Sequence, residues 1–90
     1  MSFWDIRKQF FRELFIPGTL FLVKHDDSTL EIEVGSHLFV LNNITISEEA
    51  RAGTERCIFL CLYEKELKTI WFDLGSCWGD NIEKYLQKVE

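Results

Sequence analysis

Three short runs of this 90-residue chain, at positions 19–25, 38–41 and 56–63, are apolar on both of the faces that a strand presents. Each has the length of a strand and is bounded by turn residues rather than by helical periodicity. A strand with water on one side alternates apolar and polar residues, so these three call for a sheet covered on both sides. Either two helices lie on opposite faces of that sheet, or one helix layer covers one face and a partner chain covers the other.

The remaining elements follow from local signals. Ser2 caps a helix with Asp5 as its capping-box partner, and Pro17-Gly18 closes it, which predicts a helix over residues 3–15. At 100° per residue, Ile6, Phe10, Phe3, Leu14, Phe11, Trp4 and Phe15 fall on one arc roughly 180° wide, interrupted only by Arg7. Residues 29–35 alternate, with Leu30, Ile32 and Val34 opposite Glu31 and Glu33, and read as a strand with one wet face. The run from Leu38 continues to Ile46 as one long or broken strand, bent at Asn42-Asn43. Ser47 to Gly53 is a short helix or a loop. Residues 56–63 and 68–74 form a hairpin across a four-residue connection, Glu64 to Leu67. Asp80 with Glu83 starts a second helix that carries Ile82, Tyr85, Leu86 and Val89 to residue 89. The expected fold is α+β, a single domain over residues 1–90. Its single antiparallel sheet has about five strands, with an N-terminal and a C-terminal helix, in the order α-β-β-β-(short α)-β-β-α.

Composition narrows the function. A chain this short buries only roughly 60–65% of its unfolded surface, which leaves little room for a large enzymatic cleft. With 47% hydrophobic residues, eight Phe and three Trp, it is not a disordered chain. Fifteen acids against ten bases give a net charge of −5, the wrong sign for neutralising phosphates or anionic lipid, so neither nucleic acid nor membrane is an expected partner. The chain has no apolar run of spanning length, and its start lacks the basic-then-apolar order of a signal peptide. Three cysteines, an odd number, favour a reducing compartment, and a cytoplasmic protein is expected.

Candidate sites are few. Cys57 and Cys61 lie on one strand face about 13 Å apart, too far to share a zinc ion, and no C-x-x-C or H-x-x-x-H spacing occurs. His25 and His37 both fall at strand ends beside turns. Cys77, in a glycine-flanked loop before a helix, is the thiol best placed for a lowered pKa, but a G-x-C-x-G elbow belongs to a scaffold at least twice this size. No catalytic residue, metal or cofactor is expected. Asp26, Asp27, Glu31 and Glu33 gather around one hairpin and can present a negative patch to a basic partner; Trp78, between glycines, is either an anchor for that partner or a ring folded back over the entry to the last helix. Trp4, Arg7, Phe11 and Phe15 form a helix face suited to a homodimer or a partner.

The expected function is that of a small acidic, non-catalytic protein-binding module. It would inhibit or neutralise a partner protein, in the manner of immunity proteins, antitoxins or phage anti-defence proteins. The element order also resembles that of type III secretion chaperones, which implies a dimeric, acidic chaperone as an alternative. An acidic mimic of DNA is a third possibility, made dilute by the interspersed bases.

Overall fold

The computed structural model describes residues 2–47, 51 and 53–89, the side chain of Cys77 excepted. Helix α1, Phe3–Leu14, begins at the Ser2 capping box: the Ser2 hydroxyl accepts from the Asp5 amide at 3.1 Å and the Asp5 carboxylate accepts from the Ser2 amide at 3.2 Å. It ends where Phe15 leaves helical geometry, just before Pro17 and Gly18, whose φ of 91° takes the chain into the sheet. The strands are β1 (Leu20–Val23), β2 (His37–Val40), β3 (Thr45–Ile46), β4 (Arg56–Tyr63), β5 (Glu66–Asp73) and β6 (Leu86–Lys88). Helix α2, Cys77–Tyr85, lies between the last two. Every pairing is antiparallel, and the fold is α+β with one sheet of six strands.

Strand β4 is the spine. One of its edges carries β5 along its whole length, and the other carries β2 and β3 end to end. Asn42 produces the break between those two, because its side-chain oxygen accepts from the Leu60 amide at 2.9 Å where a strand carbonyl would otherwise sit. Strand β1 pairs with β2, and β6 closes the far edge against β1.

Four expectations need correction. Residues 29–35 do not form a strand. Asp27 and Ile32 exchange backbone bonds at 3.0 Å, Glu31 sits at φ 57°, and the Asp26 and Asp27 carboxylates accept from the Val34 and Leu30 amides at 2.6 and 2.9 Å. This tight excursion buries Leu30 and Ile32 and leaves Val34 out, so the apolar alternation is met by a folded loop. The connection from β4 to β5 is two residues, Glu64 and Lys65 at φ 47° and 75°, the positive pair that a type I′ turn requires. Helix α2 starts earlier, capped by Ser76, whose hydroxyl accepts from Gly79 N at 3.3 Å. It also stops earlier, at Tyr85, because residues 86–88 pair with the otherwise open edge of β1. The element expected at 47–53 falls largely outside the described residues.

Both helices lie on the same face of the sheet. Phe15, which caps the end of α1, stacks on Phe59 of β4 at 4.6 Å and meets Phe21 of β1 at 5.3 Å; Phe72 of β5 meets Phe11 at 5.3 Å and Trp78 of α2 at 5.7 Å. Leu30 and Ile32 extend the same layer. The arrangement with helices on opposite faces is therefore not the one adopted. Among the described residues no helix is long and apolar enough to cross a membrane.

Candidate partner-binding surface

The face of the sheet away from the helices is where the second set of apolar residues goes. Along β4 the buried positions Cys57, Phe59 and Cys61 alternate with Ile58, Leu60 and Leu62; along β1 and β2, Phe21, Val23, Leu38 and Val40 alternate with Leu20, Leu22 and Phe39. Pairing registers place Leu20 beside Phe39, Phe39 beside Leu62, and Leu62 beside Leu67, an unbroken apolar row across four strands. A second pair, Ile58 and Trp71, lies further along β4 and β5. Phe39, Ile58 and Trp71 are 37%, 38% and 41% exposed, and Leu67 is 70% exposed. An antiparallel sheet that meets water normally does so with polar side chains. Polar groups stand at the margins instead. Arg56 lies 4.4 Å over the Trp71 ring and 3.7 Å from Asp73, while His37 and Glu64 pair at 3.6 Å beside the β4–β5 turn.

The acidic residues singled out from the sequence, Asp26, Asp27, Glu31 and Glu33, do share one open concavity with Ser28, Ile32 and Val34. Two of them have structural duties there. Asp26 and Asp27 hold loop amides, and Glu31 lies 3.8 Å from Lys68. Trp78 is 4% exposed, its indole packed on Phe72 and Tyr85. It works chiefly as an internal prop between β5 and α2. The α1 face is likewise turned inward: Phe11 and Phe15 have no exposed surface, so neither can serve a dimer contact. Trp4 packs over the backbone of Gly53 and Gly75. The Arg7 guanidinium donates to the Gly79 carbonyl and lies 5.2 and 5.0 Å from the Phe10 and Phe11 rings, so it ties α1 to α2. The large apolar residues that α1 shows to solvent are Phe3 and Ile6.

The thiols of β4 are poor nucleophiles. Burial, and for Cys57 also the nearby Glu55 carboxylate, pushes Cys57 up to about 12, and burial pushes Cys61 up to about 11. The side chain of Cys77 lies outside the described set. Among the described residues no group of three or more His, Cys, Asp or Glu is placed to hold a metal ion. His25 stacks on Tyr85 at 4.6 Å, and its Nδ1 lies 2.8 Å from the Asp26 carbonyl.

The uncovered face was signalled by the doubly apolar strands, but its members were not named from the sequence. Which face the helices take depends on connections, and periodicity does not encode those. No protein-family model, curated protein or solved structure gives a match to the chain.

Proposed function

We infer that the chain is a small acidic, non-catalytic protein-binding module acting in the cytoplasm, and that it docks a partner protein on the open sheet face and thereby inhibits or neutralises it. The observation that supports this reading is the apolar row Leu20–Phe39–Leu62–Leu67, left uncovered while both described helices lie on the other side. Contiguous apolar surface bordered by polar groups is what protein interfaces use. The net charge of −5 favours a partner with a basic surface by steering the encounter, whereas the apolar row supplies affinity.

The reading is tested by immobilising the wild-type chain and a Phe39→Asp/Ile58→Asp variant, confirming by circular dichroism that both are folded, and exposing each to extract of the native source. Retention of one stoichiometric protein by the wild type and its loss from the variant is expected. Equal retention by both, or no stoichiometric partner on the wild type, overturns the reading.

A further inference from the structure

The free edge of β5 points to a second copy of this chain. In the β4–β5 hairpin the Leu74 amide donates to the Glu55 carbonyl at 2.9 Å, and hydrogen-bonded positions repeat every second residue along an antiparallel pair. Phe72, Ile70, Lys68 and Glu66 therefore direct their main-chain groups toward β4. Leu67, Thr69 and Trp71 direct theirs away from it, along with the Asp73 amide; the Asp73 carbonyl is already taken by Ser76. Among the described residues strand β5 pairs with β4 alone, and Asp27, Thr29 and Leu30 share an open concavity with Trp71 to Asp73. The eight residues of β5 run in continuous register without a bulge or a proline, and Leu67, Thr69 and Trp71 are exposed. Folded proteins normally shorten, bulge or cover such an edge, because it templates pairing with another strand.

We propose that two copies of the chain pair antiparallel through their β5 edges, with Thr69 on the twofold axis, to form one continuous sheet. The sequence of β5 selects that partner and that register. With Thr69 opposite Thr69, Leu67 lies opposite Trp71 of the second copy, so apolar meets apolar on both sides of the axis, and the turn that carries Lys65 comes beside its Asp73. Moving the axis one step toward Trp71 sets Leu67 against Asp73, and one step the other way sets Leu67 against Thr69 and Lys65 against Trp71. Of the three registers only the central one matches the pairs on the open face; on the helix side it sets Lys68 opposite Ile70 and Glu66 opposite Phe72. It forms about six main-chain hydrogen bonds. Because Leu67, Thr69 and Trp71 all point to the open face, the twofold is perpendicular to the sheet. Both apolar rows then lie on one side and make a platform twice as wide. This contact is a strand edge, separate from the face assigned to the partner protein, and it replaces the α1 face as the site of self-association.

The test is sedimentation velocity from low micromolar to near-millimolar protein on the wild type, Thr69→Pro, Thr69→Cys and Phe39→Asp. Thr69→Pro removes an amide that points away from β4, so the hairpin retains its own bonds. A twofold mass for the wild type is expected, with the mass of a single chain for Thr69→Pro. A disulfide-linked dimer of Thr69→Cys under mild oxidant is also expected, since directly opposed residues lie within disulfide reach, whereas Thr45→Cys at the other side of the sheet stays unlinked. Phe39→Asp retains the dimer. A wild type that is monomeric throughout, or a Thr69→Cys chain that fails to cross-link, overturns the proposal even if Thr69→Pro does not fold. A dimer lost in Phe39→Asp overturns it as well, by moving self-contact to the open face. None of these results bears on capture of a different protein, which is read from the Phe39→Asp/Ile58→Asp comparison.

Discussion

Two phenylalanines on opposite sides of the sheet layer carry the sharpest prediction. Phe15 has no exposed surface and touches Phe11, Phe21, Phe59 and Phe72. Truncating it removes a fully buried ring and leaves a cavity enclosed by four others, so Phe15→Ala should cost about 3–5 kcal/mol. That is a large share of the roughly 5–15 kcal/mol available to a small domain, and Phe15→Leu offers a gentler truncation of the same ring. Phe39 is 37% exposed and lies on the open face between Leu20 and Leu62. Its removal forfeits part of a burial worth at most about 3 kcal/mol and leaves no enclosed cavity, so about 1 kcal/mol is expected. Urea unfolding followed by tryptophan fluorescence reads both. At a slope near ~1.3 kcal/mol per molar, a loss of about 4 kcal/mol moves the midpoint by about 3 M, and the Phe39 variant by less than about 1 M. Equal costs at the two sites would mean that both sheet faces are covered in the free protein, and a near-neutral Phe15→Ala would mean that α1 does not dock as described.

Other consequences are more local. A Cβ on Gly79 would fall 1.8 Å from the Leu74 carbonyl oxygen, a backbone atom with nowhere to move, so Gly79→Ala should lower stability by at least ~3 kcal/mol in thermal unfolding. Lys65 occupies the second positive-φ position of the turn. Lys65→Gly relieves about 1–1.5 kcal/mol of backbone strain against about 0.5–1 kcal/mol of added unfolded-state entropy, and a net gain of about 0.5 kcal/mol should appear as a melting temperature higher by a few degrees. Glu55 is buried against Lys8 at 3.3 Å and accepts from the Gly53 amide at 2.7 Å. Burial alone would raise its pKa, but its own amide, that of Gly53 and the Lys8 ammonium outweigh burial and hold it below the ordinary glutamate value. Its stabilising effect is then complete above that ordinary value and lost as pH falls through the lowered one. Glu55→Gln should cost about 2 kcal/mol at neutral pH and flatten the acid limb of stability against pH. With thiols raised to about 12 and 11, Cys57 and Cys61 should resist a thiol reagent at pH 8 until urea unfolds the chain; labelling of either in the native state would contradict their burial.

How much of this could be read from the chain depends on whether the deciding interaction is local. The α1 capping box, its stop before Pro17 and the 56–63 strand rest on neighbouring residues, and each was legible. The 29–35 segment misled because Leu30 and Ile32 satisfy a two-residue alternation whether they line a strand or fold over a core. What decides is that Asp26 and Asp27 accept loop amides, a choice open to any aspartate in a turn. The type I′ turn lacks the Asn-Gly signature, so Glu64-Lys65 suggested a longer connection. The end of α2 was out of reach, since Leu86 to Lys88 leave helical geometry to pair with β1, more than sixty positions earlier in the chain.

The candidate surface was half legible for a related reason. Periodicity reveals that a strand is apolar on both sides, but it does not say what covers each. Phe11 and Phe15 seemed surplus because their arc on α1 is broad, and the structure places them where the sheet needs them, against Phe21, Phe59 and Phe72. The surplus is on the sheet instead. Threonine, which suits a strand and tolerates water, already stands at position 69 on that same face and at position 45 beside Ile58. Threonine at 39, 67 or 71 would serve the isolated fold nearly as well, because side chains this exposed contribute only part of their burial energy. On the proposed reading the larger apolar residues at those positions serve an added surface more than the chain's own stability, and a threonine scan across them should weaken association well before it weakens folding.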